Sequence, residues 1–441
     1  MVTVSGVAEA MQTVLTVVAN DAARERGFVR RRRKLSGAKF AQALVFGWLA
    51  NPKATLEELA QTAAAVGVCI SPQGLDQRFT ESAAGCLEQI LRAGVRTMIA
   101  ADSVAIPLLQ RFKGVYLQDS SSITLPEALS EVWRGCGGSR PEGTSAALKI
   151  QVRLDLSSGE LHGPLLQHGR QSDRTSPLQG ASLPAGALLL ADLGYFSLQR
   201  FKDLSVQGGY WLSRLQAGTA VFDENGKRWH LVELLRARGG NEIDIAVVLG
   251  VKQRLPCRLL AVRVPQEVTE QRRRRIRREA SRRGQTPRHN QLALAEWTVY
   301  ITNVPRALLS LPEAMVLGRV RWQIELLFKL WKSHGRIDEW RSAKPWHILC
   351  EVYAKLLAML VQHWLLLVGC WQYPDRSLHK AAQTVRKHAL HLASTFGYIE
   401  HLTMTITTIK RCLATGCRIN KRRAMPHTYQ LLLHLTEGGL S

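Results

Sequence analysis

Three acidic residues stand where an active site could form. Asp119 and Asp192 each follow a short apolar run, GVYLQD and ALLLAD, that is typical of a β-strand. One such aspartate alone is more typical of a turn or cap, but catalytic groups of α/β sheets cluster beyond the carboxyl ends of the strands. Glu325 follows in a helical segment that could cross the sheet. Three such carboxylates can hold two Mg²⁺ ions about 4 Å apart and promote an in-line phosphoryl displacement by water or a 3′-hydroxyl.

The segment around Glu325 also carries two cations. Arg321 lies four residues before Glu325 and Lys332 seven residues after it, so at about 100° per residue the three side chains share one helix face. A solvated face with i, i+4 ion pairs is the simpler interpretation. Aromatic residues flank this stripe, however, and favour a helix that is partly buried, with the two cations beside the phosphates of a substrate.

The motifs LQDSSSITLP, ALLLADLGYFS and RVRWQIELLFKLWKS occur in this order and resemble the DDE transposases of the insertion-sequence-four family. The resemblance spans about residues 105–370. The family signature on the last helix is Tyr, two residues, Arg, three residues, Glu, six residues, Lys. Arg321, Glu325 and Lys332 match its last three positions, and Gly318 occupies the Tyr position. The resemblance implies an RNase H-like core in which the three carboxylates bind two Mg²⁺ ions, with Mn²⁺ as a substitute.

The resemblance further implies cut-and-paste transposition by a homodimer that binds the two ends of an element. In this family a hairpin often forms on the excised end, and a flipped base is held against a tryptophan. We expect Trp297 to be that platform, although an ordinary buried tryptophan fits this position equally well; Trp211 and Trp229 are weaker candidates. Base extrusion costs a few kcal/mol, which aromatic stacking partly offsets.

The strand and helix patterns around the three carboxylates predict an α/β protein. Leu148–Leu156 alternates before a Ser-Ser-Gly turn and predicts a hairpin with the strand after it. Ser197 suits the N-cap of a helix to Val206, and a strand is expected over Tyr210–Leu215. Ser310 and Glu313 form a capping box that predicts one helix running to about residue 333.

Residues 218–297 interrupt this succession of core strands and helices. Asn225-Gly226 predicts a hairpin, and nine arginines lie between Gln271 and Arg288. We therefore predict an RNase H-like mixed-sheet core with a β-rich insertion and helical ends. The expected divisions are a helical DNA-binding region at 1–105, the first part of the core at 106–217, the insertion with an arginine-rich arm at 218–297, the second part of the core with the Glu helix at 298–370, and a helical basic region at 371–441.

The N-terminal region contains a possible DNA-reading unit. Thr55 and Glu58 form a capping box, and Gly67 can end that helix. Ser71 and Pro72 suit the first positions of a second helix. Helix, short turn, helix is a DNA-reading arrangement, although an ordinary helical hairpin has the same pattern. The residues expected to contact DNA from the second helix are Gln73, Gln77 and Arg78.

The charge of the chain predicts a polyanionic partner. Lys and Arg number 59 against 35 Asp and Glu, a formal net charge of +24. Any one basic run is more typical of a solvated surface, but together these runs can neutralise phosphates. They are Arg30–Lys34, Arg272–Arg283 and Lys421–Arg423; the expected contacts to double-stranded DNA include Arg30, Arg31, Arg272 and Arg273, with Arg170 in the loop after the third strand.

Other classes of protein fit less well. The N-terminus has no signal-peptide pattern, and the most apolar stretch, Leu356–Cys370, is interrupted by Gln362 and His363, which favours a buried helix over a membrane span. The eight cysteines form no CxxC pair and predict reduced thiols in a cytoplasmic, DNA-associated protein. Two alternatives to a transposase stay open at this point: an RNase H-like nuclease that cuts without joining, and a decayed transposase that only binds DNA.

Overall fold

The computed structural model describes residues 2–31, 34–136, 145–420 and 427–437. The chain forms two compact units. The first unit comprises Met1–Ile106, Asp119–Ser172 and Gln323–Tyr429, and the second comprises Pro107–Gln118, Asp173–Trp322 and Gln430–Ser441. The five divisions predicted along the chain are a different partition and stay a prediction.

The strands pair as one mixed sheet. In chain order they are β1 (Val115–Leu125), β2 (Ala146–Asp155), β3 (Leu161–His168), β4 (Leu188–Ala191), β5 (Tyr210–Arg214), β6 (Val221–Phe222), β7 (Arg228–Trp229), β8 (Glu242–Leu249), β9 (Leu255–Arg263) and β10 (Trp297–Thr302).

The order of these strands matches the predicted core. Within the described ranges the sheet has ten strands in the order β3-β2-β1-β4-β5-β10-β9-β8-β6-β7. Strand β4 is parallel to both β1 and β5, and all four of its residues are buried because they are apolar on both faces. Strands β2 and β3 form the predicted antiparallel hairpin, and β10 is antiparallel to β5. The predicted mixed α/β class with an RNase H-like core is confirmed.

The insertion extends the sheet beyond β10. Strands β8 and β9 pair along their whole length, and β9 also pairs with β10. The Asn225-Gly226 turn joins β6 to β7 as predicted, with Gly226 at φ 81°. The arginine-rich arm is helical over Gln266–Arg282. The insertion is thus rich in β-strands and also contains helices that the sequence patterns did not predict.

One long apolar helix lies in the core of the first unit. This helix, α15 (Pro345–Gly369), contacts α3 (Gly37–Ala50) and α6 (Glu81–Arg96). Among the described residues it alone is long and apolar enough to cross a membrane by length and composition, and its most apolar window is fully buried in the protein. The remaining helices are α1 (Val4–Gln12), α2 (Ala19–Glu25), α4 (Leu56–Ala65), α5 (Pro72–Asp76), α7 (Pro107–Gln110), α8 (Pro177–Gly180), α9 (Leu198–Val206), α10 (Leu231–Arg238), α11 (Gln266–Arg282), α12 (His289–Leu294), α13 (Leu311–Val320), α14 (Trp322–Ser333), α16 (Leu378–Lys387), α17 (Ala389–Thr395), α18 (Ile399–Thr415) and α19 (Thr428–Glu437).

Three elements differ from their predicted bounds. Strand β1 continues past Asp119 to Leu125, because the polar residues that follow Asp119 still have extended backbone. The single helix predicted to run to Ser333 is divided at Arg321 into α13 and α14. Helix α5 has only five residues and ends before Gln77, since Thr80 already caps α6.

Candidate active site

Asp192 lies directly beyond the carboxyl end of β4, as predicted. The main-chain oxygen of Asp192 accepts a hydrogen bond from the N–H of Tyr195 at 3.0 Å, which closes a 3₁₀ turn over Leu193–Tyr195. This turn leaves the Asp192 side chain 35% exposed. The carboxylate is therefore accessible while its backbone is fixed by the strand and the turn.

Arg321 contacts this carboxylate. Its Nε lies 3.4 Å from Oδ1 of Asp192, and the Arg321 side chain is only 19% exposed. Arg321 is the C-cap of α13, with φ −48° and ψ −31°, so the backbone keeps a helical conformation across the division between α13 and α14. The spacing argument that placed Arg321 on the face of Glu325 therefore still holds locally.

Asp119 lies within β1 and is half-buried. Its Oδ1 accepts a hydrogen bond from the N–H of Ser120 at 2.8 Å, which orients the carboxylate. The parallel register of β1 and β4 pairs Leu117 with Leu190. Asp119 and Asp192 each lie two residues beyond this pair. Counted along the chain, each aspartate thus follows the paired leucine of its own segment by the same number of residues.

Glu325 lies in the first turn of α14 and is half-buried. Lys332, on the same helix, donates a hydrogen bond from Nζ to the main-chain oxygen of Ser122 at 3.0 Å. Ser122 belongs to β1, the strand that contains Asp119. The contact of Lys332 with β1 was not predicted, because a main-chain acceptor has no signature in the sequence.

The structure explains why position 318 is a glycine, which the sequence alone did not. A Cβ atom at this position would lie 2.7 Å from Cε1 of Tyr300 and closer still to Cζ and the hydroxyl oxygen, nearer than real Cβ atoms approach. Tyr300 is only 5% exposed and lies in β10, between β5 and β9. The tyrosine ring of the sheet therefore fills the space where the family signature has a side chain on the helix.

Comparison with known proteins decides the family. Residues 110–361 match the family model described as Transposase DDE domain. The chain belongs to the DDE transposase family. The transposase for insertion sequence element IS231F of Bacillus thuringiensis subsp. israelensis is 27% identical over 430 residues, which cover 91% of this chain and 89% of the relative. The transposase for IS231B of Bacillus thuringiensis subsp. berliner is 28% identical over 363 residues (77% and 75%), and that for IS1151 of Clostridium perfringens is 23% identical over 369 residues (78% and 76%).

The chain is therefore a transposase, an enzyme that acts on DNA, and the resemblance to the insertion-sequence-four family is confirmed. This family depends on a divalent metal. Within the described ranges of the chain, no group of three or more His, Cys, Asp or Glu side chains is arranged so that it could hold a metal ion. The expected convergence of Asp119, Asp192 and Glu325 thus stays a prediction. Their chemistry does fit a hard divalent cation, which prefers carboxylate oxygen.

The tryptophans of the transposase differ in their surroundings. Trp297, the first residue of β10, is half-buried and has the guanidinium of Arg263 5.8 Å from its ring centre. Trp211 is fully buried and stacks on Phe201 at 4.6 Å, so it is a core residue that cannot hold a base. The indole N–H of Trp229 donates to Asp223 at 2.8 Å. Trp297 stays the candidate platform.

Two arginines of α11 bind other protein groups through hydrogen bonds or an ion pair. Arg272 donates to the main-chain oxygen of Trp297 and to Oγ1 of Thr298, both at 2.9 Å, and burial lowers its pKa. Arg273 lies 2.6 Å from the carboxylate of Glu296. The DNA contacts expected of both arginines stay predictions, but each guanidinium already has protein partners.

The remaining predicted DNA contacts lie on the surface of the transposase. Arg170 follows β3 and is exposed, as are Arg30 and Arg31. The helix expected to present Gln73, Gln77 and Arg78 ends at Asp76. Gln73 is on α5, Gln77 is its C-cap and Arg78 follows it, so α5 is too short to read a groove as a recognition helix. The basic run Lys421–Arg423 lies outside the described residues, as do Arg32 and Arg33.

Proposed function

We propose that this transposase nicks DNA at the ends of a mobile element and joins the 3′-hydroxyl to target DNA, a cut-and-paste reaction. Asp119, Asp192 and Glu325 are the proposed catalytic residues. The observation that carries the proposal is the pair of contacts on either side of Glu325. Arg321, before it, lies 3.4 Å from Asp192, and Lys332, after it, donates to a main-chain oxygen of the strand that contains Asp119.

The register of the sheet supports the same assignment. Asp119 and Asp192 lie two residues beyond the paired Leu117 and Leu190 on neighbouring parallel strands. Such strands are about 4.8 Å apart, so side chains at equivalent positions can reach a common ligand. The Ser120 N–H orients Asp119, and Arg321 orients Asp192. These two contacts would fix the direction of each carboxylate separately, and the convergence of both with Glu325 is part of the proposal.

We further propose Mg²⁺ as the cofactor, as two ions that Mn²⁺ can replace and that Asp119, Asp192 and Glu325 would hold. When bound, such a pair of ions activates the attacking oxygen and stabilises the leaving oxygen. The contribution of the chain beyond these ligands is positional. Arg321 and Lys332 lie on the Glu325 helix, and their positive charges attract the phosphates next to the scissile bond.

The proposed partner is double-stranded DNA, at element ends and target, bound by a homodimer in the cytoplasm. Trp297 is the proposed platform for an extruded base, since its half-buried ring lies at the edge of a cavity of about 200 Å³ with Arg236 and Arg263. Arg236 would balance a phosphate that flanks such a base, whereas Arg263 already pairs with Glu296 of the same cavity at 3.1 Å. A denaturing gel of the excised ends would detect a hairpin intermediate.

Metal-dependent nicking of a labelled element end tests the proposal. Asp119→Ala, Asp192→Ala and Glu325→Ala should each abolish nicking in Mg²⁺, while DNA binding stays equal or becomes slightly stronger, since a negative charge near phosphates is removed. Glu242→Ala is the control, because Glu242 is an exposed glutamate of the insertion, and it should keep full activity.

Three outcomes would contradict the proposal. Loss of DNA binding together with nicking in all three variants would assign these carboxylates to folding. Nicking without joining of the 3′-hydroxyl to target DNA would identify a nuclease, and binding without any nicking would identify a decayed transposase.

A further inference from the structure

A cavity of about 760 Å³ opens in the N-terminal helices of the first unit. Pockets that hold small organic ligands have volumes of about 300–1,000 Å³. Four cations line the cavity: Arg30, Arg31 and Lys34 precede α3, and Arg78 follows α5. Two segments that are distant in sequence therefore bring their positive charges to one concave surface, which an isolated solvated charge run would not do.

The charge of this cavity is not balanced by the protein groups around it. Among the described residues that line the cavity, none is acidic. Asp76 is the acidic residue nearest to Arg78 in sequence, but its carboxylate is engaged by Lys344 at 2.6 Å and by His347 at 3.4 Å. The cavity therefore attracts an anion.

Arg78 gives an independent indication of a ligand. Its Nε is buried and has no hydrogen-bond partner within the described part of the chain. A buried polar group without a partner costs about 1–3 kcal/mol, and a charged one more, so such groups are rare unless a ligand or water satisfies them. Arg78 lines the cavity, so an anion paired with its guanidinium would offset part of this cost.

The cavity also has an apolar wall. Phe28 is half-buried and its ring lies 4.7 Å from that of Phe40, which fixes its orientation. Leu35 and Val68, which also line the cavity, are at most 9% exposed. A ligand that fits both parts has an anionic group for the arginines and a flat, weakly polar group for the apolar wall.

From this combination we propose that the cavity holds an unpaired nucleotide of a DNA strand, with its phosphate against Arg78, Arg30, Arg31 and Lys34 and its base against Phe28 and Val68. This is a second DNA-binding site, and it includes none of the three carboxylates. The inference rests on DNA as the substrate but not on the chemistry proposed for Asp119, Asp192 and Glu325. Base–aromatic contact combined with phosphate pairing is the usual way to bind single strands without reading their sequence.

The thiol of Cys69 allows a direct test, because Cys69 is exposed and lines the cavity. The probe is a short oligothymidylate, and the measurement is the rate of Cys69 alkylation by iodoacetamide, followed by peptide mass spectrometry on the full chain. Cys412, also exposed, is the internal reference. Saturating oligothymidylate should slow alkylation of Cys69 about tenfold, since an occupied site reacts only when it is vacant. The rate at Cys412 should not change.

Variants and other probes identify the contacts. Arg78→Gln should remove the protection and Arg78→Lys should restore part of it, whereas Arg96→Gln, at an exposed position of α6, should leave it unchanged. An abasic oligonucleotide should protect Cys69 less than oligothymidylate, and inorganic phosphate should protect it least.

Three results would overturn the inference: no protection of Cys69, equal protection in Arg78→Gln, or full protection by inorganic phosphate alone. Metal-dependent nicking would survive any of these results. Conversely, oligothymidylate could protect Cys69 in a chain that neither nicks nor joins DNA. That result would support the nucleotide site in the cavity and overturn only the proposed reaction.

Discussion

At the level of single residues, the two tasks proposed for Arg321 can be separated by experiment. Its guanidinium lies 3.4 Å from the Asp192 carboxylate and is largely buried, so it can orient that carboxylate. It also shares a helix face with Glu325 and Lys332, where a cation would meet a phosphate. A lysine keeps the charge but lacks the planar fork of an arginine, so substitution by lysine distinguishes orientation from charge.

Arg321→Ala and Lys332→Ala should slow nicking at saturating DNA by about tenfold or more, because misplaced reacting groups cost more than the loss of one surface charge. Each should also reduce the salt dependence of binding by at most about one unit. Single-turnover nicking and fluorescence anisotropy measure the two effects. Arg321→Lys should recover affinity but not the rate, if orientation of Asp192 is the main task.

Arg277→Ala is the matched control, since Arg277 is an exposed arginine of α11. It should change affinity slightly and leave the saturated rate alone. If Arg321→Ala and Lys332→Ala behave in the same way, and more DNA restores full cleavage in each, the face of the Glu325 helix is an ordinary cationic surface.

At the scale of elements, Gly318 determines how closely α13 approaches the sheet. Gly318→Ala gains about 1 kcal/mol of helix propensity but places a Cβ against the Tyr300 ring, and overpacking costs about 1–3 kcal/mol. Because Tyr300 is held between two strands, the cost of overpacking should exceed the gain in helix propensity. The free energy of unfolding should therefore fall. Urea unfolding measures the change.

The sign of this change should reverse when the ring is removed. In a Tyr300→Ala background, Gly318→Ala should stabilise the protein. Gly85→Ala in the native sequence is the control and should also stabilise it, because a Cβ at Gly85 in α6 meets nothing closer than 3.5 Å. Equal effects of Gly318→Ala in both backgrounds would show that Tyr300 is not the obstacle.

Helix α15 contains a buried histidine that should make stability depend on pH. Burial lowers the pKa of His363 to about 4, although its Nε2 lies 2.7 Å from the main-chain oxygen of Gly159. The unfolded chain has a His pKa of about 6.5 and binds the proton more readily, so this stabilisation is complete above about pH 6.5 and is lost as the pH falls toward 4. The free energy of unfolding should therefore drop by about 2 kcal/mol between about pH 7 and pH 5 through this group.

His363→Gln should lack that part of the pH dependence, because glutamine does not titrate in this range. His391→Gln, at an exposed position of α17, is the control and should retain it. Identical pH profiles for the native chain and His363→Gln would show that the pKa of His363 is the same in the folded and unfolded chains.

The local signals in the sequence predicted where elements begin more reliably than where they end. The capping boxes of Thr55 with Glu58 and of Ser310 with Glu313 are both present, and Ser197 caps α9. These signals work because each cap depends on residues within one turn. Helix α5 ends early because Thr80 caps the next helix, and the division between α13 and α14 at Arg321 has no signal in the sequence.

At the scale of the whole molecule, composition predicted the class of partner but not which cations are available to it. The net charge of +24 indicated a polyanion, and the match to DDE transposases identifies that polyanion as DNA. Within α11, however, Arg272 and Arg273 have protein partners, whereas Arg274, Arg277 and Arg278 are exposed. The sequence run looks uniform, and only the fold separates cations that hold the insertion together from those that face solvent.

This separation predicts two different effects for substitutions in one helix. Replacing the exposed Arg274, Arg277 and Arg278 by glutamine should lower the slope of log K against log salt by about two to three units, since each phosphate contact contributes about 0.9. Their removal should leave urea unfolding unchanged. Arg272→Gln should instead lower the free energy of unfolding, because it removes donors from the Trp297 carbonyl and the Thr298 hydroxyl, and should change the slope by less than one unit. An unchanged slope in the triple variant would mean that α11 does not face DNA, and the net charge would then act through other surfaces of the transposase.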